Sequence, residues 1–241
     1  MRVAGVVVAT ATGPAGAGPT PLSLLGGVPL LVWAVSALRD GAALDQLVVV
    51  AAVPGPGVGA VRRLLDVAAP GDRALVLPGE PTRHGSLHSA LSILDSRIEM
   101  VLLHDPRRPL APPGVVSRVV GAVRLGAPAA APAVEVTETV KEVDPAGRIL
   151  HTVPRDSLLR LQEPQAVRRS LLDAAHAGCT PADLATGDAA RLTPPGTPLV
   201  IVPGDHDAFP IVHAADLALA EAVLASRRSH EVELESDPVE S

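Results

Sequence analysis

Asp105 closes a short apolar run, and two arginines stand just behind it, in His104-Asp105-Pro106-Arg107-Arg108-Pro109. A carboxylate followed by guanidiniums offers two kinds of chemistry. Asp105 could hold a magnesium ion while Arg107 or Arg108 grips a phosphate. Equally, the aspartate could form a turn with a local ion pair to the arginines. The spacing leaves both open. Arg83-His84-Gly85-Ser86-Leu87 opens a helical pattern, where free backbone amides collect anions. Ser86 there either bonds a ligand or caps the helix, and capping is the simpler local reading. Asp205-His206-Asp207 has the residue types of a metal site, but adjacent side chains in an extended stretch point opposite ways, which argues against three ligands.

A fourth segment, Ala9-Thr10-Ala11-Thr12-Gly13-Pro14-Ala15-Gly16-Ala17-Gly18-Pro19-Thr20-Pro21, looks like a phosphate-binding loop yet contains no lysine or arginine. Its glycines do not fall in the dinucleotide order G-x-G-x-x-G, and Pro14 removes an amide donor. No acidic residue ends the second apolar run to hold a ribose, so a nicotinamide enzyme is not expected.

These segments need a frame that brings them together. Short β-branched runs alternate with helical patterns, the mark of a mainly parallel sheet covered by helices. Strands are expected at 3–9, 47–53, 74–77, 100–104, 129–134 and 199–202. Helices are expected at 29–39, 58–67, 86–95, 113–124, 168–177, 181–192 and 213–226. In such α/β sheets ligands sit beyond the carboxyl ends of strands, where all four segments lie. Glu138–Val143 and Arg148–Val153 flank Asp144-Pro145-Ala146-Gly147 and read as a β-hairpin standing off this core. The expected organisation is a single domain over 1–228 with an arm at about 138–153. An acidic tail at 229–241, with five acidic residues and no lysine or arginine, is expected to be disordered.

Composition narrows the function. The 241 residues are 47% hydrophobic, enough for a core, but Trp33 and Phe209 are the only aromatics and tyrosine is absent. Stacking platforms for single-stranded nucleic acid are therefore missing, and a net charge of −6 gives no basic footprint for its backbone. The single cysteine, Cys179, excludes an internal disulfide and a cysteine-based zinc cluster. No apolar run approaches the ~18–20 residues of a membrane span, so a cytoplasmic protein without membrane partners is expected. Lys141 is the only lysine among twenty basic residues.

Together the segments resemble the 2-C-methyl-D-erythritol 4-phosphate cytidylyltransferase family of the non-mevalonate isoprenoid pathway, from Val3 to about Ala225. The stretch 101–109, Val-Leu-Leu-His-Asp-Pro-Arg-Arg-Pro, is similar to the family's V-L-V-H-D-A-A-R-P. Glu138-Thr139-Val140-Lys141 resembles D-T-x-K, Arg155 the arginine closing the arm, Leu161-Gln162-Glu163-Pro164-Gln165 the L-Q-T-P-Q motif, and Arg83 with Ser86 the R-x-x-S pair. Ala208-Phe209-Pro210-Ile211 and Asp216-Leu217 follow the closing F-K-I-T-x-x-x-D-L. The resemblance implies a three-layer α/β fold, a Rossmann-like nucleotidyltransferase with helices on both faces of the sheet and a dimerising β-hairpin arm. It implies magnesium on Asp105, and catalytic roles for Asp105 and Arg108. Ala9, Gly13, Gly79, Arg83 and Ser86 would bind the nucleotide, CTP or another. Arg108, Thr139, Lys141 and Arg155 would bind a sugar-alcohol phosphate, partly across a homodimer.

The departures concern charge. The family's loop P-A-A-G-x-G-x-R, followed by P-K, places its arginine on Ala15 and its lysine on Thr20. The F-K-I-T lysine falls on Pro210, and T-D-[ED]-A appears as Thr186-Gly187-Asp188-Ala189. Losing one transition-state charge contact costs ~3–4 kcal/mol, about 10²–10³ in rate. The expectation drawn from these losses is a degenerate paralogue with a binding or regulatory role, paired with itself or in a heterodimer with an active relative. The alternative is an active cytidylyltransferase whose missing charges come from Arg2, Arg62, Arg107 or a partner chain.

Overall fold

β1 (Arg2–Ala9) is buried at every position after Arg2, as a central strand of a parallel sheet covered on both faces must be. The computed structural model describes residues 1–9, 18–51, 57–68, 74–80, 82–178 and 196–236. After β1 a two-residue hairpin, β2 (Leu24–Leu25) and β3 (Val28–Pro29), leads into α1 (Leu30–Gly41). Then follow β4 (Gln46–Ala51), α2 (Val58–Ala68), β5 (Leu75–Pro78), α3 (Arg83–Ser92), β6 (Ile98–His104), α4 (Pro113–Arg124) and β7 (Ala129–Glu135). The arm is β8 (Val140–Val143) and β9 (Ile149–Val153). The chain returns through β10 (Leu159–Leu161), β11 (Gln165–Arg168), α5 (Arg169–Gly178), β12 (Leu199–Pro203) and α6 (Ala214–Ser236).

β1 lies between β4 and β6, and β5 pairs β4, all parallel. β11 runs antiparallel between β6 and β7, β10 continues along β7, and β12 pairs β7 in parallel. The result is an eight-stranded, mainly parallel sheet. Alternation along the strands feeds two apolar layers. Val3 and Val7 meet α1, α2 and α4 through Leu31, Leu65 and Val119, while Ala4, Val6 and Val8 meet α3 and α5 through Leu87, Leu91 and Leu172. Each such side chain contributes about 1.5–3 kcal/mol by leaving water. α6 builds a third apolar cluster, Leu224 and Ala220 with Leu25, Leu30, Leu110 and Ile211.

The fold is thus the expected three-layer α/β arrangement with a hairpin arm, and three details differ from the sequence reading. α3 begins at Arg83, three residues earlier than expected, which moves Ser86 from the cap into the helix. β10 and β11 were not expected; they are short, and their strand form comes from partners far away in sequence. α6 continues to Ser236, so the acidic segment expected to be disordered from 229 is helical up to that point. Its residues beyond Ser226 are mostly helix formers, and no proline intervenes before Pro238. The expected helix at 181–192, the Thr186–Ala189 motif, Cys179, residues 10–17 of the glycine loop and the last five tail residues lie outside the described residues.

Candidate active site

β6 delivers His104 and then Asp105 to the carboxyl edge of the sheet. Asp105 turns the chain: its carbonyl accepts from the Arg108 amide at 2.9 Å, and its Oδ1 accepts from the Arg107 amide at 2.8 Å. The Arg107 guanidinium then folds back onto the same carboxylate, with Nε 3.2 Å from Oδ1 and 3.0 Å from Oδ2, and Nη2 2.6 Å from Oδ2. The local turn and ion pair is therefore the form this segment takes. Burial alone would raise the Asp105 pKa, but the hydrogen bonds from Arg107 and the charges of Arg83 and Arg107 hold it below the usual carboxylate range.

Arg83, in the first turn of α3, reaches the same place from the other side. Its Nη1 is 3.6 Å from Asp105 Oδ2 and its Nη2 is 2.8 Å from Glu163 Oε1. Glu163 sits where the chain breaks between β10 and β11. Its other oxygen, Oε2, is buried without a hydrogen-bond partner, and burial pushes its pKa up despite Arg83. Arg108 donates to the Ala208 carbonyl at 2.7 Å and lies near both carboxylates; burial lowers its pKa. Three guanidiniums thus face two carboxylates, an excess of one positive charge. His104, directly beneath, is wholly buried, and burial lowers its pKa to about 3. It is neutral near pH 7 and carries no positive charge there.

Ser86 is fully buried beside this cluster, but it neither caps α3 nor faces an open cleft. The cap is Thr82, whose hydroxyl accepts from the Gly85 amide. Ser86 Oγ accepts instead from the Glu80 amide at 2.9 Å and so fixes the turn from β5 into α3. Gly79, in that turn, donates its amide to the Ala51 carbonyl. Ala9 ends β1, buried, while Gly13 and Ala15 lie outside the described residues.

The closing motif is tied to the Asp105 turn: the Ile211 amide donates to the Arg107 carbonyl at 2.7 Å. Gly18, where the glycine loop re-enters, lies against the Val212 carbonyl so closely that any Cβ there would collide with it. Thr20 and Pro210, the positions emptied of lysine, flank that contact by two residues each. The Thr20 hydroxyl accepts from the Leu22 amide. A cavity of about 450 Å³ opens beside this segment, lined by Arg160, His206, Phe209, Pro210, Val212 and His213 among others. Of the proposed replacement cations, Arg107 is at the site. Arg2 begins β1, at the opposite edge of the sheet, and pairs with Asp45; Arg62 is exposed on α2.

Of the alcohol-phosphate residues Arg108 is in the cluster, while Thr139, Lys141 and Arg155 stand on or beside the arm. Lys141 Nζ donates to Thr152 Oγ1 across the arm at 2.6 Å, Arg155 donates to the Thr137 carbonyl at 3.0 Å, and Thr139 is exposed just before β8. Sequence reasoning missed Glu163 altogether. The signal was present, since an acid stands where the resemblance has a threonine.

The side chains do not fit a divalent cation at Asp105. Both carboxylate oxygens accept from Arg107, and a second guanidinium stands 3.6 Å from Oδ2. No group of three or more acidic, histidine or cysteine side chains gathers anywhere among the described residues. Asp207 of the Asp205-His206-Asp207 cluster pairs with Arg227 at 2.6 Å instead.

A family model described as "IspD: 2-C-methyl-D-erythritol 4-phosphate cytidylyltransferase" matches residues 3–226. The 2-C-methyl-D-erythritol 4-phosphate cytidylyltransferase of Frankia casuarinae is 43% identical over 227 residues, covering 93% of this chain and 82% of the relative. That of Streptomyces coelicolor is 42% identical over 218 residues, covering 87% and 79%. The crystal structure of the Thermus thermophilus cytidylyltransferase superposes with a TM-score of 0.72 at 31% identity, covering 92% of this chain and 98% of that one. An Anaerococcus prevotii structure at 22% identity shares the fold, with a TM-score of 0.78.

Proposed function

The chain belongs to the 2-C-methyl-D-erythritol 4-phosphate cytidylyltransferase family, and on that premise we propose that it transfers a cytidylyl group from CTP to 2-C-methyl-D-erythritol 4-phosphate. A phosphate oxygen of the acceptor attacks the α-phosphorus, the bond from that phosphorus to the β-phosphate bridge breaks, and pyrophosphate leaves with the charge. The need is for fixed positive charge where the pentacovalent centre and the leaving group develop theirs. The observation that carries the reading is the meeting of Arg83, Arg107 and Arg108 at the carboxyl end of β6. Guanidiniums there answer the charge demand that the glycine loop, with Ala15, and positions Thr20 and Pro210 no longer meet. Relatives 36–43% identical carry the enzyme's name, which supports activity over a purely regulatory role.

The remaining parts of the reading follow from the arm. Its apolar residues Val143, Ile149 and Leu150 are all more than half exposed, more than an isolated hairpin tolerates in water. A second copy covering them would form a homodimer and bring Thr139, Lys141 and Arg155 toward the partner's cleft, where they would grip the alcohol phosphate. Residues 1–228 act as one catalytic unit, and the protein works in the cytoplasm; among the described residues no helix is long and apolar enough to cross a membrane. Magnesium is given no place at Asp105 in this reading.

A second reading has a specific observation behind it. With Asp105 held by Arg107, and with no cation at Thr20 or Pro210, the chain would bind phosphates without transferring them, as a degenerate partner of an active relative. Pyrophosphate release separates the two. Release that needs both CTP and methylerythritol phosphate, and that falls at least about 10²-fold in Arg108→Ala, is the expected result. CTP binding with no release above the blank would establish the binding subunit instead.

A further inference from the structure

We propose that Arg107 stands at Asp105 in place of a divalent cation, and that the cleft takes its nucleoside triphosphate without metal, between Arg83, Arg107 and Arg108. The nucleotide's identity rests on the reading above; the metal-free mode rests on the geometry.

Four contacts from one residue fill the Asp105 carboxylate: the Arg107 amide on Oδ1, Nε on both Oδ1 and Oδ2, and Nη2 on Oδ2. A cation arriving at Oδ2 would have to displace Nη2 and then sit beside the Arg83 guanidinium, already 3.6 Å from that oxygen. Like charges at such a distance repel strongly in a part-buried site. Magnesium also demands near-octahedral oxygen ligands, and one carboxylate hemmed in by two arginines supplies little of that shell.

Two substitutions relative to the family's motifs converge here. Arg107 replaces an alanine of V-L-V-H-D-A-A-R-P, and Glu163 replaces the threonine of L-Q-T-P-Q. The first puts a permanent cation on the aspartate. The second adds a carboxylate that pairs Arg83 at 2.8 Å and keeps the enlarged set of guanidiniums from standing unbalanced in a buried place. The two positions lie far apart in sequence and are linked through Asp105 and Arg83, so the exchange reads as one coordinated change of charge carrier. Guanidinium suits the task, because its planar fork of five donors binds phosphate in pairs and keeps its charge across the accessible pH range. The Arg107 side chain is about a quarter exposed, enough to present an edge to a ligand.

Calorimetric titration of the full-length protein with CTP, in excess EDTA and again in excess magnesium, tests this. The wild type is expected to bind with dissociation constants within about threefold of each other, since no metal contact is gained. Arg107→Ala is expected to weaken metal-free binding at least about tenfold, the usual worth of a charge-assisted contact, and magnesium should then restore it. Asp105→Asn should tighten metal-free binding, by releasing the guanidinium. Wild-type binding at least about tenfold tighter with magnesium, loss of binding in Asp105→Asn, or no CTP binding by the folded wild type would each overturn the proposal. If Arg107→Ala does not fold, the wild-type comparison and Asp105→Asn decide it. Transfer is measured separately: metal-free binding without pyrophosphate release keeps this inference and removes the enzymatic reading.

Discussion

Arg83 Nη2 lies 2.8 Å from Glu163 Oε1, joining the first turn of α3 to the break between β10 and β11 across eighty residues of sequence. Both side chains are largely withdrawn from water, 18% and 13% exposed, so neither charge is well solvated alone. The pair reaches the Asp105–Arg107 pair through Arg83 itself, whose Nη1 lies 3.6 Å from Asp105 Oδ2. Breaking one member of such a pair leaves the other as an uncompensated buried charge. Arg83→Ala is therefore expected to cost about 3–5 kcal/mol of stability, read from denaturant unfolding. Replacing Glu163 by threonine at the same time should recover a large part of that loss. A double variant no more stable than Arg83→Ala alone would show that the two residues do not act as a pair.

Glu163→Thr by itself raises the positive excess of the cluster and leaves Arg83 one carboxylate fewer to satisfy. Affinity for CTP should rise, by about three- to tenfold for one part-buried charge contact. Unchanged or weaker binding in the folded variant would mean that Arg83 does not meet the ligand.

The emptied lysine positions predict a gain of function. Thr20 and Pro210 flank the contact between Gly18 and Val212, so side chains placed there enter one neighbourhood. Thr20→Lys with Pro210→Lys should raise the rate of pyrophosphate release at least about tenfold, with more available if both charges reach the leaving group. No increase in either binding or rate would show that the cleft has been rebuilt around the arginines.

Assembly can be tested on the arm. Ile149 and Leu150 are 63% and 57% exposed on β9, and Lys141, Glu142 and Arg148 give the hairpin charged flanks. Ile149→Asp with Leu150→Asp should turn a dimer into a monomer in sedimentation at micromolar concentration, with little change in the circular dichroism of the domain. A wild type that sediments as a monomer would remove the arm from the site.

His104 predicts an acid limb of stability. Its folded pKa of about 3 lies below the unfolded imidazole value of about 6.5. The neutral form is favoured by folding, so this stability is fully present above pH 6.5 and is lost as pH falls toward 3, where the unfolded chain takes up the proton. The loss should approach about 1.4 kcal/mol per pH unit within that window. His104→Asn should flatten the slope between pH 6.5 and 4 in unfolding experiments, whatever it does to stability at pH 8. An unchanged slope would assign the acid limb to other groups.

Elements whose pattern is local and strong can be read along the chain alone. β1, β4 and β6 are short, mostly aliphatic runs that cannot stay in water, and α4 was legible to its ends because Pro113 opens it and its valines repeat at helical spacing. The arm was equally legible, since Asp144 accepts from Ala146 and Arg148 and Gly147 takes a positive φ of 80° within the turn itself. Even the Asp105–Arg107 contact, two residues long, stood in the sequence as one of two open readings. The remaining features depend on partners distant along the chain. β10 and β11 hold too few residues to declare themselves, and become strands because β6 and β7 offer unpaired backbone edges. Ser86 became a turn clamp rather than a cap because Thr82 took the helix end. The meeting of Arg83, Asp105 and Glu163 follows from the strand order, which sets β6 beside β11, and from α3 packing its apolar side on that face of the sheet. A charge pattern read along the chain counts carboxylates and guanidiniums; only the packed sheet fixes which of them share a dielectric and therefore which must pair.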